Sequence, residues 1–161
     1  METRLIYDFF LSPIGGLFLT FAGKKLTAIT TKKPEGIRPG SAPDSFKIEL
    51  SAYFSGNLRA FNQEIVFLDG TEFEKSVWRA AREVPYGETR TYKWLSERVG
   101  KPGAYRAVGQ ALSKNPVPIV IPCHRIIESD GNIGGYSEGV EIKRRLLEME
   151  YYYSLKEGHT I

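Results

Sequence analysis

The sequence predicts an α+β fold, in which a small N-terminal α/β unit of antiparallel strands plus one helix precedes a mainly helical C-terminal domain with a helix-turn-helix. Two observations lead to this prediction. The first third of the 161 residues has short apolar runs that are rich in β-branched residues and separated by turn residues, whereas apolar residues recur at helical spacing after residue 70. The pattern changes at Asp69-Gly70. We therefore predict two domains, residues 1–69 and residues 70–161.

Three strands and one helix are predicted in the N-terminal domain. The strands cover Leu5–Phe10, Leu17–Phe21 and Leu26–Thr31. Residues 32–43 contain three prolines and two glycines and are predicted as a loop. The helix is indicated by apolar residues spaced i, i+4, i+7 and i+8, which are Phe46, Leu50, Tyr53 and Phe54. Residues 61–68 are predicted as a further short strand.

The C-terminal domain begins with a capping box, in which Thr71 is followed three residues later by Glu74. The first predicted helix begins at Thr71 and is ended by Val84-Pro85-Tyr86-Gly87. The others run from Tyr92 to Val99, from about Ala104 to Ser113, and from about Val140 to Met149. The last of these is expected to turn Ile142, Leu146 and Met149 inward. The apolar, β-branched residues 117–121 are predicted as a buried strand. No element is predicted for residues 151–161.

Two short helices joined by a glycine-containing turn have the outline of a helix-turn-helix, which is a common DNA-binding unit. The second of these helices has an unusual number of small residues, which are Gly103, Ala104, Ala107, Gly109 and Ala111. Small side chains allow a helix backbone to approach a narrow minor groove. They also allow tight packing against another helix, which is the interpretation that such a helix favours when it is considered in isolation.

The positive charge of the chain is concentrated in one segment. The net charge is only +3, but residues 90–125 contain seven cations and a single anion, Glu97. The cations are Arg90, Lys93, Arg98, Lys101, Arg106, Lys114 and Arg125. A local excess of this kind suits a phosphate backbone, whose affinity comes largely from the release of condensed counterions. A solvated basic surface without a partner fits the charge equally well.

Composition excludes several classes of function. No apolar run approaches the roughly 20 residues of a membrane helix, and the N-terminus lacks the layout of a signal peptide. We therefore expect a soluble cytoplasmic protein. One cysteine cannot form an internal disulfide, and together with two histidines it cannot assemble a structural zinc site. No phosphate-binding glycine loop of the GxxxxGK kind is present, so no nucleotide cofactor is implied.

The only cysteine, Cys123, lies in a setting that favours reactivity. It follows the apolar run and Pro122, and the next two residues, His124 and Arg125, can both be positive. Nearby cations lower the pKa of a thiol, and a histidine can accept its proton. Neighbours on a strand point to opposite faces, so His124 is expected to act through a water molecule. A lone cysteine is also commonly a small buried hydrophobic residue, and these neighbours alone do not decide between the two interpretations.

Residues 115–127, Asn-Pro-Val-Pro-Ile-Val-Ile-Pro-Cys-His-Arg-Ile-Ile, resemble the active-site signature of the O6-alkylguanine-DNA alkyltransferases, also called methylated-DNA–protein-cysteine methyltransferases. The resemblance extends from Val84 to Glu150 and is weaker, and mainly architectural, before residue 70. It implies direct-reversal DNA repair, in which an alkyl group moves once and irreversibly from O6 of a flipped guanine to Cys123. The implied partner is double-stranded DNA containing O6-alkylguanine, bound through the minor groove by a monomer without a cofactor.

The resemblance also assigns catalytic roles. Cys123 matches the alkyl acceptor, His124 the residue that takes its proton through water, and Glu150 the carboxylate that orients the histidine. Tyr92 matches the residue that crowds the target phosphate and can bond to the guanine edge. Arg106 matches the arginine finger that fills the space left by the flipped nucleotide.

Further residues are assigned to DNA and to the base pocket in the same way. Asn115 matches a hinge asparagine that ties the turn after the recognition helix to the active-site strand. The remaining residues expected to face DNA are Ala104, Ala107, Gly109 and Arg125. The pocket is expected to be formed by Tyr136, Gly135, Pro118 and the backbone around Ser137, which would bond to O6.

Two departures from the family pattern matter. Glu138 stands where many relatives have a small residue, which puts tolerance of bulky adducts in doubt, and the zinc-binding residues of some relatives are absent. Three other functions share part of the pattern: a cysteine hydrolase, a non-catalytic DNA-binding regulator, and an alkyltransferase-like protein that senses damage without reacting. The last of these replaces the acceptor cysteine, which is present here.

Overall fold

The chain folds as a mixed α/β protein, for which the computed structural model describes residues 4–136 and 138–158. Within these ranges it forms a four-stranded sheet, a two-stranded ladder and five α-helices. The residues divide into two compact units. The first contains the residues up to Leu68 together with Pro116–Pro118, and the second contains Asp69–Asn115 and the residues from Ile119 onward. The first unit is therefore not contiguous in sequence, and the division into domains at residue 70 stays a prediction.

The first unit is built on the four-stranded sheet. Its elements are β1 (Leu5–Ser12), β2 (Gly15–Ala22), β3 (Lys25–Thr30), β4 (Arg38–Pro39) and α1 (Asp44–Phe54). The strand order is β3-β2-β1-β4, with β4 parallel to β1 and the other pairs antiparallel. Leu17, Leu19 and Phe21 of β2 are buried, as is Thr20, and the ring of Phe21 meets that of Phe46 on α1 edge-on at 5.7 Å. The three long strands and the helix follow the alternation and spacing seen in the sequence.

The predicted strand over residues 61–68 is wrong, because side chains there satisfy backbone groups that a strand would pair. The Glu49 carboxylate accepts hydrogen bonds from the backbone N–H groups of Asn62 and Gln63, at 2.7 and 3.1 Å. Only an isolated bridge joins Ile65 to Leu26. The loop predicted over residues 32–43 in turn contains the two residues of β4.

The second unit contains the remaining helices. Its elements are α2 (Glu72–Ala81), β5 (Arg90–Thr91), α3 (Tyr92–Arg98), α4 (Tyr105–Ser113), a 3₁₀ turn (Cys123–Arg125), β6 (Ile126–Ile127) and α5 (Val140–Gly158). The predicted capping box is confirmed: the Glu74 N–H donates to Thr71 Oγ1 at 3.1 Å, and the Thr71 N–H donates to the Glu74 carboxylate at 2.9 Å. Trp78 Nε1 donates to the carbonyl of Ala111 at 2.7 Å and so joins α2 to α4.

The buried strand predicted over residues 117–121 is also wrong. All five residues are buried, but they form turns with isolated bridges, and Ile119 has φ of 78°. Such a conformation is strained for a β-branched residue. Three prolines, at positions 116, 118 and 122, remove the N–H donors that a strand ladder needs. Cys123 consequently begins a 3₁₀ turn, with its N–H bonded to the carbonyl of Ile121 at 2.8 Å.

Helix α5 is longer than predicted and buries polar residues. It continues past Met149 to Gly158 because no proline or glycine interrupts residues 150–157. Leu146 is buried as expected, but the other fully buried positions are Lys143 and Glu150, whereas Ile142 and Met149 are only half-buried. None of the helices in the described ranges combines the length and apolar character that crossing a membrane requires.

Candidate active site

Cys123 forms part of the wall of a cavity of about 250 Å³ in the second unit. The residues that line this cavity are Tyr92, Gly109, Leu112, Ser113, Cys123, Gly135 and Tyr136. The thiol is 5% exposed. Its sulfur accepts a hydrogen bond from Asn115 Nδ2 at 3.1 Å, and the same amide donates to the carbonyl of Ile121 at 3.0 Å. The hydroxyl of Tyr136 is hydrogen-bonded to the sulfur as well.

A buried carboxylate lies behind the cysteine. Glu150, 1% exposed, accepts from His124 Nε2 at 2.7 Å and from Arg125 Nε and Nη2 at 2.8 and 3.0 Å. The backbone N–H of Gly87 lies 3.3 Å from the same carboxylate. Burial alone would raise the pKa of Glu150, but its hydrogen bonds with His124 and Arg125 and the positive charge of Arg125 outweigh it and hold this pKa well below its usual range. Glu150 is therefore ionised at neutral pH.

The imidazole of His124 is neutral in the resting protein. Complete burial lowers its pKa, and the opposing attraction of Glu150 does not compensate. Because a carboxylate accepts only, the proton of the neutral ring is on Nε2, where it is donated to Glu150. Nδ1 is then a bare acceptor, and among the described residues it has no hydrogen-bond partner. His124 is thus poised to take up a proton at Nδ1 while Glu150 stabilises the resulting charge.

The thiol of Cys123 is protonated at rest. Burial raises its pKa to about 11, although Asn115 and the charge of Lys143 favour the thiolate. The expectation that His124 and Arg125 lower this pKa is therefore wrong. Arg125 is neutralised by Glu150 and also donates to the carbonyl of Val84 at 2.8 Å, and His124 is uncharged.

Sequence reasoning missed Lys143, which is completely buried. Its Nζ donates to the carbonyl of Ile126 at 2.6 Å and to that of Gly135 at 3.1 Å. Burial lowers its pKa to about 8, opposed by the negative charge of Glu128 and, once the thiol ionises, by that of Cys123. Gly134, at φ of 77°, packs so closely that a Cβ there would lie 3.4 Å from this Nζ. The sequence did offer one indication of this burial: Lys143, Leu146 and Glu150 are spaced i, i+3 and i+7, which places them on the same face of a helix.

The structure brings together most of the predicted site residues. Tyr92, Gly109, Gly135 and Tyr136 share the cavity with Cys123. Asn115 donates to the Cys123 sulfur, and His124, the next residue in the same 3₁₀ turn, is bonded to Glu150. Ala104, Arg106 and Ala107 lie at the N-terminal end of α4, where Arg106 and Ala107 are exposed. Ser137, predicted to bond to O6, lies outside the described residues.

Two predicted residues are placed elsewhere. Arg125 was expected to face DNA, but it is 5% exposed and its guanidinium is bonded to Glu150 and to the carbonyl of Val84. Pro118 was expected to line the pocket, but it is buried in the first compact unit and is not one of the cavity-lining residues. Among the residues that the structure describes, no three His, Cys, Asp or Glu side chains are grouped to hold a metal ion.

A wider groove of about 740 Å³ adjoins the Cys123 cavity, since Tyr92, Gly109 and Ser113 line both. The other residues that line the groove are Tyr105, Arg106, Gln110, Glu128, Ser129 and Asp130. The groove therefore carries a cation on α4 and two carboxylates on the segment that follows β6. The Glu128 carboxylate contributes to a raised pKa of Tyr92, for which burial is the main cause.

Four of the seven cations in the basic segment are paired with carboxylates. The pairs are Arg90–Glu88, Arg98–Glu83, Lys114–Glu74 and Arg125–Glu150, at 3.0, 2.8, 3.3 and 2.8 Å. The other three, Lys93, Lys101 and Arg106, are exposed and have no carboxylate within 4 Å in the described part of the chain. The positive charge that is free for a partner is therefore about half of what composition suggests.

Comparison with known proteins gives consistent matches. Residues 72–152 match the family model described as 6-O-methylguanine DNA methyltransferase, DNA binding domain. A methylated-DNA–protein-cysteine methyltransferase of Methanosarcina barkeri is 46% identical over 157 residues, which cover 91% of this chain and 97% of the relative.

Solved structures match over similar lengths. The crystal structure of Mycobacterium tuberculosis OGT in complex with DNA is 40% identical, with a TM-score of 0.87 over 91% of this chain and 93% of that chain. The O6-methylguanine-DNA methyltransferase of the archaeon Pyrococcus kodakaraensis is 27% identical, with a TM-score of 0.66 over 91% of this chain and 99% of that chain. The mixed α/β fold described above is shared with these proteins.

The raised pKa of Cys123 predicts how the free protein reacts with a small uncharged alkylating reagent. The rate should rise about tenfold per pH unit and level off only near pH 11, because the thiolate is the nucleophile. Intact mass reports this rate directly, since the chain has one cysteine. The denatured protein is the control and should level off near the ordinary thiol pKa of about 8.5. Equal profiles for the two states would contradict the burial argument.

Proposed function

Because this chain belongs to the family of methylated-DNA–protein-cysteine methyltransferases, we propose that Cys123 takes an alkyl group from O6 of guanine in DNA and retains it. The observation that carries this proposal is the position of the only cysteine, in a cavity wall with a neutral, buried histidine and an ionised carboxylate behind it. The substrate is double-stranded DNA containing O6-alkylguanine, and the protein acts as a monomer.

The thiol must lose its proton before or during attack, since its pKa of about 11 leaves it protonated at neutral pH. His124 Nδ1 accepts this proton through a bridging water, and Glu150 stabilises the imidazolium that forms. Arg125 keeps Glu150 ionised and fixed in position. The charge of Lys143 favours the thiolate, so this buried lysine supports the same step.

The transfer is a displacement at the alkyl carbon. A bond forms between Cys123 Sγ and that carbon while the carbon–O6 bond breaks, and its electron pair stays with guanine, which then takes up a proton. Tyr92 suits the stabilisation of this leaving base, because burial raises the pKa of its hydroxyl and keeps it a donor. The product is a thioether without an easy leaving group, so each molecule reacts once.

The DNA-binding unit is α3, the following turn and α4, which we assign as a helix-turn-helix with α4 as the recognition helix. The small residues Ala104 and Ala107 allow this helix to approach the minor groove, and exposed Arg106 fills the space of the flipped nucleotide. Flipping is required because the reactive carbon is inaccessible in a duplex, and it costs a few kcal/mol. Asn115 connects the end of α4 to the reactive turn through Ile121 and Cys123.

The decisive measurement is the intact mass of the protein after mixing with a duplex that carries one O6-methylguanine. We expect one added methyl group, located on Cys123 by peptide mapping and saturating at one per molecule. Cys123→Ser should gain no mass and still bind the lesion. Repeated turnover would indicate a hydrolase instead, and lesion binding without any mass change would indicate a damage sensor.

His124→Gln tests the proton acceptor and leaves the Glu150–Arg125 pair intact. The single-turnover rate of transfer at neutral pH should fall by about 10²-fold to 10⁴-fold, the usual contribution of a general base. Much of the loss should be recovered as the pH approaches 11, where the thiol ionises without help. Glu148→Gln is the matched control, since Glu148 is exposed on the same helix. A wild-type rate in His124→Gln would remove the histidine from the mechanism.

The ion pairs of the basic segment predict a moderate salt dependence of DNA binding. With three free cations, log Kd should change with log salt concentration at a slope of about 3 rather than 6. Lys101→Gln should reduce the slope by about 1. Lys32→Gln, an exposed lysine of the first unit, should leave it unchanged. A wild-type slope near 6 would mean that phosphates displace the intramolecular carboxylates.

A further inference from the structure

Tyr105 is a large side chain on a part of α4 where the other side chains on the predicted DNA side are small. It is the first residue of α4 and has 48% of its surface exposed, whereas its neighbours on the predicted DNA side are Ala104, Ala107 and Gly109. A single exposed aromatic ring is not informative by itself. The position of this ring is informative, because it lines the 740 Å³ groove beside Arg106.

The groove adjoins the cavity that contains the reactive sulfur. Tyr92, Gly109 and Ser113 form part of both walls. A nucleotide inserted into the Cys123 cavity remains covalently joined to its neighbours in the strand, so one of those neighbours must lie at the cavity mouth. The groove beside this cavity is therefore available to the adjacent nucleotide.

The charges of the groove indicate which part of that nucleotide it receives. Glu128 and Asp130, both exposed, line it together with Tyr105. Two carboxylates repel a phosphate, whereas they can accept hydrogen bonds from the amino groups of bases. The face of a tyrosine ring suits any base, because every base has a π-face. The groove thus fits a base better than a phosphodiester.

We propose that Tyr105 stacks against the base next to the flipped guanine and so positions the damaged strand for transfer to Cys123. This inference rests on the proposed function. Tyr105 acts as a positioning residue, since it contacts the neighbouring base and not the reacting atoms. The stacking is independent of sequence and adds a second DNA contact beside the arginine finger, Arg106.

The test compares Tyr105→Ala with Tyr105→Phe in single-turnover transfer from a duplex carrying one O6-methylguanine. Loss of one stacked base should raise the half-saturating DNA concentration of Tyr105→Ala by about 5-fold to 150-fold, and Tyr105→Phe should stay close to wild type. Tyr151→Ala is the matched control, because Tyr151 is similarly exposed, on α5, and does not line the groove. Transfer from the free base O6-methylguanine should be equal in all four proteins.

A double-mutant cycle identifies the contact. In duplexes with an abasic site on one side of the lesion or the other, the penalty of Tyr105→Ala should disappear for one of the two positions. An equal penalty with both abasic duplexes, or no penalty with intact DNA, would overturn the stacking role. Reduced transfer from the free base would overturn it too, since the residue would then serve the cavity itself. If the wild-type protein acquires no methyl group from any substrate, that result contradicts the proposed function as a whole and not only the Tyr105 contact.

Discussion

The buried carboxylate of Glu150 is the constraint on which the rest of the site depends. Removing an ionised carboxylate from water costs several kcal/mol unless its partners are held in good geometry. Here His124, Arg125 and the N–H of Gly87 supply those partners, so helix α5, the 3₁₀ turn and the loop before β5 must meet at one point. This requirement also restricts the residue at position 87. Gly87 has φ of 79°, and a Cβ there would overlap the hydroxyl of Ser154. A side chain at that position would therefore displace a hydrogen-bond partner of the buried charge.

Burial, which makes the ionised carboxylate of Glu150 energetically costly, also keeps the thiol of Cys123 protonated and therefore weakly nucleophilic in the resting protein. A thiol of pKa about 11 is ionised in about one molecule in ten thousand at pH 7. For a residue that reacts once and is not regenerated, a low resting thiolate fraction limits loss to adventitious electrophiles and oxidants. In the proposed mechanism, reactivity then depends on the acceptor at His124 Nδ1 and on a substrate held in line, so the cavity would supply selectivity as well as reaction geometry.

The sequence was most informative where structure is local and least informative where it depends on distant partners. The capping box of Thr71 and Glu74 and the helices α1 to α4 depend on spacing within a few residues, and they were predicted closely. The apolar run before Cys123 satisfied the pattern of a strand, but its prolines and the Asn115 amide turn it into a strained loop. Arg125 was predicted to face DNA and Lys143 was not singled out, because nothing in their local sequence reveals that Glu150 and two backbone carbonyls enclose them. The catalytic assignments came from the resemblance and not from local physics.

Composition also counts charges without revealing which of them are already paired. The basic segment suggested a DNA surface held mainly by phosphate contacts, but carboxylates of the second unit occupy four of its seven cations. Exposed pairs contribute little to stability, about 0–1 kcal/mol each, yet each one lowers the charge offered to phosphates. Weaker attraction to undamaged DNA shortens the time spent on each wrong site. Discrimination can then rest on extrusion of the nucleotide, which costs least at a poorly paired base, and on a cavity in which only an alkylated guanine presents a carbon to Cys123.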